Sequence, residues 1–221
     1  MSKPKAWKLS LTTDESPSAV YLHLDGWIGD TPSLAGALWL GSRETRFEQS
    51  IFDKGLLGAA KAKSIGRVDF GDYLADLVRW TEGEDRVIVG WGRGSIDAFR
   101  RTMGAKSLQR LENRYRDGAR LAKEFARQTN GNGASFGRSL PPTLSLDEWM
   151  HYFGIEVANG ANGIATLRQQ LTTGATYDDL SPAAKSGWTR VLARNQDACF
   201  AMRRVCRQLA TLTPQANGRR A

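Results

Sequence analysis

Three apolar segments, an amphipathic helix and a fourth apolar segment follow one another near the start of the chain, and this order most limits what it can fold into. Residues 19–24 (AVYLHL) run into Asp25-Gly26, as a buried strand entering a turn does. Residues 34–40 (LAGALWL) and 45–52 (TRFEQSIF) follow, with Gly41-Ser42 between them suiting a hairpin. Residues 53–66 are rich in small side chains and read ambiguously. Asp69 can cap a helix through Trp80, with Phe70, Tyr73, Leu74, Leu77 and Val78 at helical spacing. Residues 86–91 (RVIVGW) supply the fourth strand. From there the pattern turns helical, over 96–103, 108–113 and 116–128.

The remaining punctuation suits a single domain. Residues 130–142 (NGNGASFGRSLPP) form a Gly/Ser/Asn/Pro loop, and Ser145 with Glu148 makes a capping box before a short helix that Gly154 ends. Residues 159–163 read as another loop. Pro182 opens a last helix to about residue 210, with Trp188, Val191, Leu192, Cys199, Met202, Val205, Cys206 and Leu209 on its apolar face. The expected architecture is α/β: a mixed sheet flanked by helices, with a helical C-terminal half. One domain over 19–211 is expected, between a loose arm over 1–18 and a tail over 212–221.

At 221 residues, 41% hydrophobic and 24% charged, the chain can bury one good core and is neither disordered nor fibrous in composition. No run approaches the roughly 18 apolar residues of a membrane span. Residues 1–10 carry lysines without an apolar stretch behind them, so no secretory signal is expected. Cys199 and Cys206 stand about two helical turns apart, too distant to bridge, and read as small buried hydrophobes of a cytoplasmic protein.

Several chemistries are excluded by residue type and spacing. His23 and His151 are the only histidines, and the cysteines lack zinc-ligand spacing. There is no GxxxxGK[ST] loop and no GxSxG elbow. The run Gly90-Trp91-Gly92-Arg93-Gly94 lacks the GxGxxG spacing of a dinucleotide site. Carboxylates remain: Asp25 at the end of the first strand, Asp97 past the fourth, and Asp197 within the last helix. Each alone suits a turn or a solvated helix face. Together, on separated segments, they could hold divalent cations that activate water toward a phosphodiester.

At these stretches the chain resembles the ribonuclease-H-like DEDD 3′–5′ exonucleases. The resemblance rests on VYLHLDG (20–26), VIVGWGRGSIDAFRR (87–101), and the run from RYRDGARLAKEF through SLDEWMHYFGI to LARNQDACFAMRRVC, and spans roughly residues 19–210. It implies Asp25, Asp97 and Asp197 as catalytic and metal-binding residues, with Mg²⁺ or Mn²⁺ as cofactor and 3′–5′ exonuclease activity on single strands. The chain departs from the family twice. His23 stands where the first aspartate belongs, and Leu192 and Ala193 stand where a histidine or tyrosine base belongs. An imidazole substitutes poorly for a carboxylate shared by two Mg²⁺ ions. His23 and Asp25 share one strand face, which leaves a His/Asp metal pair open beside the ordinary reading of a satisfied core histidine. Pairing Asp25 with Asp30 instead would break strand alternation.

Charge adds a partner. Lys+Arg 31 against Asp+Glu 23 leaves +8, much of it between residues 100 and 138 and along the last helix. Arg93, Arg100, Arg101, Arg116, Arg120, Arg138, Arg190 and Arg194 are the expected contacts to single-stranded DNA or RNA phosphates. Trp91, Phe99, Tyr115 and Phe136 are candidates for base stacking, while Trp149 and Trp188 read as core. The alternative to a nuclease is a catalytically degenerate binding or structural subunit of a larger nucleoprotein assembly. A solvated, arginine-rich helix surface is the plain reading of the same charges.

Overall fold

The computed structural model describes residues 11–41, 44–131, 140–141, 145–157, 163–172 and 176–212. Its strands are β1 (Val20–Asp25), β2 (Leu34–Leu40), β3 (Thr45–Ile51), β4 (Gly66–Arg67), β5 (Ile88–Gly90) and β6 (Tyr115–Asp117). Its helices are α1 (Leu57–Ala62), α2 (Phe70–Gly83), α3 (Arg93–Thr102), α4 (Ala105–Arg114), α5 (Gly118–Gly131), α6 (Leu146–Tyr152), α7 (Gly163–Thr172) and α8 (Pro182–Leu212). The strands form one mixed sheet in the order β4-β3-β2-β1-β5-β6. β1–β2 and β2–β3 are antiparallel, whereas β5 returns parallel to β1, β6 lies parallel to β5, and β4 parallel to β3.

Both sheet faces are covered, which is why β2 is buried along its whole length and reads as an unbroken apolar run. Alternation divides the side chains. Tyr21, Leu38 and Val89 meet Phe125 of α5, Trp149 of α6 and Met202 of α8 on one face. Val20, Leu22, Trp39 and Ile88 meet Leu74 and Leu77 of α2, Phe99 of α3 and Leu111 of α4 on the other. A third cluster gathers Leu34, Ile51, Leu56, Leu167 and Trp188. Caps behave as the sequence suggests: Asp69 accepts from the Gly71 and Asp72 amides, and Ser145 from the Glu148 amide.

The structure departs from the sequence reading in three places. Residues 11–18 are no loose arm: Leu11 is buried in the core, Ser16 hydrogen-bonds the Tyr21 hydroxyl at 3.0 Å, and Glu15 ion-pairs with Arg116. Apolar burial and a side-chain ion pair tie down a segment that is polar by composition. Residues 115–117 are strand, not the beginning of a helix. Their pairing with β5 is non-local, and Gly90 permits it, because a Cβ there would lie 2.3 Å from the Tyr115 hydroxyl. Finally, α7 begins at Gly163, inside the expected loop, and Ile164 and Leu167 enter the third cluster.

Candidate nucleic-acid interface

The parallel strands β1, β5 and β6 end on the same side of the sheet, where α/β proteins bind ligands. β1 closes in a tight turn there. The Asp25 carboxylate accepts from the Gly26 amide at 2.7 Å, and the Ser33 hydroxyl donates to the Gly26 carbonyl. Gly26 has φ +66°, and a Cβ would lie 2.3 Å from Ile164, so this turn requires glycine. Arg168 of α7 locks it, donating to Ser33 Oγ at 2.8 Å and to Asp53 Oδ2 at 2.7 Å. At the end of β6, Asp117 Oδ1 accepts from the Gly92 amide at 2.9 Å and the Ala119 amide at 3.0 Å, joining the β5–α3 loop to the start of α5.

The expected carboxylates occupy different settings. Asp25 belongs to the β1 turn just described. Asp97 lies half exposed on α3, 3.6 Å from Arg100 one turn on. Asp197 sits two residues past Asn195, so it points well away from the face α8 presents to the sheet. Among the described residues no three His, Cys, Asp or Glu side chains are grouped as a metal ion would require. Asp25, Asp97, Asp197 and His23, which the resemblance implies for Mg²⁺ or Mn²⁺, form no such group.

Asn195 holds the position facing β1 and β2. It is fully buried, donates to the His23 carbonyl at 3.4 Å and accepts from Gln49 Nε2 at 3.1 Å, while Gln49 also donates to the Leu192 carbonyl at 3.0 Å. Gly36 makes this approach of helix to sheet feasible, since a Cβ there would lie 2.3 Å from Asn195 Oδ1. The sequence reading passed over Asn195, although its spacing from Trp188, Val191, Cys199 and Met202 sets a polar residue in the middle of an apolar stripe.

His23 is partly buried beside this link. Burial pushes its pKa below the usual 6.5, against the opposing pull of Asp25; Arg194 pushes further down and Asp147 pulls back up. A lowered folded value means that the unfolded chain takes up the proton first as pH falls. The stability contributed by neutral His23 is therefore complete above about pH 6.5 and is lost as pH falls through its folded value. In urea titrations between pH 7 and 5, His23→Gln should show a shallower loss of stability than the wild type. The difference should be at most about 1.4 kcal/mol per pH unit. Parallel curves would remove His23 from the pH response.

The basic residues divide into paired and unpaired. Arg116, expected on nucleic acid, is tied to Glu15 and is mostly buried. Arg100 lies near Asp97 and Glu112, Arg101 pairs with Asp30 at 3.1 Å, Arg120 with Glu124 at 3.2 Å and Arg194 with Asp147 at 3.2 Å. Arg190 is exposed and donates to Ser186 at 2.8 Å. Arg93 opens α3, and Arg138 lies outside the described residues. In contrast, Lys123 and Arg127 on α5 and Arg203, Arg204 and Arg207 on α8 have no acidic partner among the described residues. Arg120, Lys123 and Arg127 recur at three and four residues, one stripe of α5, and α5 packs against α8.

The stacking candidates also change. Phe99 and Tyr115 are fully buried, edge to face at 5.7 Å, because the α2–α4 face needs aromatic volume; they are core. Trp91 packs partly buried against the other core cluster, and Phe136 lies outside the described residues. Trp27, which the sequence reading did not select, is 41% exposed with Ile28 beside it, in the loop after β1. Its indole lies 3.9 Å from where a Cβ on Gly94 would sit, so it stands over the start of α3.

Comparison with protein-family models, curated proteins and solved structures finds no match. Among the described residues no helix is long and apolar enough to cross a membrane.

Proposed function

We propose that this chain is a nucleic-acid-binding module of ribonuclease-H-like architecture. It holds a single strand of DNA or RNA by its phosphates on α5 and α8 and by stacking on Trp27. The observation that carries this reading is the set of five cations without acidic partners, Lys123, Arg127, Arg203, Arg204 and Arg207, on two helices packed together. Cations left without internal partners are available to displace counterions from a phosphate backbone. In support, β1, β2 and β3 are antiparallel, α2 follows them after α1 and the two-residue β4, and β5 then pairs parallel to β1. Within this reading Asp25 and His23 serve the β1 turn and the buried link to α8.

A labelled single strand titrated with protein at low salt tests it, with Trp27→Ala as the paired variant. Stacking of one base is worth about 1–3 kcal/mol, so the variant should bind roughly 5- to 150-fold more weakly. Failure of the wild type to bind DNA or RNA would end the proposal. Strand shortening in Mg²⁺ or Mn²⁺ that Asp25→Asn, Asp97→Asn and Asp197→Asn each abolish would replace it with the exonuclease reading.

A further inference from the structure

A cleft of about 500 Å³ opens between β3 and α2, on the sheet face opposite α5 and α8. Glu48 and Ser50 line it from β3, and Tyr73, Asp76 and Trp80 from α2, with Ile65 adding apolar surface. Tyr73, Asp76 and Trp80 recur at three and four residues, so they form one stripe of the helix. No lysine or arginine is among the described lining residues, although the whole chain carries +8. Trp80 is 43% exposed, and no cation lies over its ring among the described residues. Asp72, one turn before Asp76, is exposed and has no cationic partner among the described residues.

The chain itself shows which group suits such a wall. The Arg46 guanidinium lies 5.5 Å from the centre of the Trp39 ring and 3.0 Å from Glu48 Oε1, so an indole and a carboxylate share one cation. Trp39 meets Trp80 edge to face at 6.0 Å. Trp80 repeats the arrangement with its ring open, Asp76 standing one turn before it on α2 and Glu48 lining the cleft from β3. Arg79, outside the lining, pairs with Asp76 at 2.6 Å, but both side chains are well exposed, and a pair of that kind is displaced at little cost. An anion would meet two carboxylates here, and a purely apolar ligand would desolvate them without a partner. A guanidinium stacks on the indole and donates to carboxylates in the same plane, which an ammonium cannot do. The volume is that of a pocket for a small group rather than of an extended interface. We infer that this cleft receives an arginine side chain from a basic segment of a partner protein, stacked on Trp80 and hydrogen-bonded to Asp76 and Glu48. The contact is separate from the nucleic-acid surface, which lies across the sheet.

A fluorescein-labelled short peptide of alternating glycine and arginine, titrated at low salt with the full chain up to about 500 µM, tests this. The expected result is a saturable rise in anisotropy. Trp80→Ala should weaken binding roughly 2- to 30-fold through the lost cation–π contact, and Asp76→Asn at least about threefold. Arg79→Ala should tighten it about twofold or more, because it removes the cation that competes for Asp76; a gain of this kind does not arise from misfolding. The same peptide with lysine in place of arginine should bind more weakly. Absence of saturation would overturn the inference, as would equal binding by the wild type, Trp80→Ala and Asp76→Asn, or lysine and arginine peptides of equal affinity. Self-association that Trp80→Ala abolishes would replace the partner protein with a second copy of this chain.

Discussion

Trp188→Ala is expected to cost about 3–5 kcal/mol of folding stability, the range for deleting a large buried aromatic. Trp188 is fully exposed to the core and not at all to water, among Leu34, Ile51, Leu56 and Leu167. Its indole N–H donates to the Ala59 carbonyl at 3.2 Å. Truncation would leave a cavity where α8, α7 and the turn after β3 meet, and would take away that carbonyl's indole partner. Domains of this kind are stable by only about 5–15 kcal/mol, so the loss is a large share of the total. For a chain of this length the melting temperature should fall by roughly 6–20 °C. Calorimetry on Trp188→Ala beside Trp27→Ala makes the comparison, since the exposed Trp27 should change stability little. Equal shifts would contradict the burial that distinguishes the two residues.

Binding of a single strand is expected to weaken about a hundredfold between 50 and 200 mM salt. Each phosphate contact contributes roughly −0.7 to the slope of log affinity against log salt, so the five unpaired cations together give about −3.5. Replacing Arg203, Arg204 and Arg207 with alanine should make the slope shallower by about 2. Replacing Arg116, held by Glu15, should leave the slope nearly unchanged. Anisotropy titrations at four salt concentrations measure both. If the Arg116 variant flattens the slope and the triple variant does not, the phosphate-binding surface lies elsewhere.

The difference between those two groups of arginines was not legible in the sequence. Arg116 stands in the same basic stretch as Lys123 and Arg127, yet its partner Glu15 lies 101 residues earlier, on a segment that reads as a loose arm. Ion pairing between distant positions leaves no local periodicity. Trp27 escaped for the opposite reason: nothing in Asp25-Gly26-Trp27 tells that its indole remains outside the core. Asp197 stands in the order that the resemblance requires, but helix rotation gives the sheet-facing position to Asn195.

By itself the sequence determined the strands β1, β2 and β3, the capped helix α2, the apolar stripe of α8, and burial of Trp149 and Trp188. These follow from alternation, helical spacing and capping side chains, which act between residues a few positions apart. Only the tertiary structure decided that β6 is a strand, which cations are neutralised and where the carboxylates lie. Each of these depends on which distant segments come together. A three-residue strand exists through its partner, a free charge through the lack of one, and a metal site through the convergence of several segments.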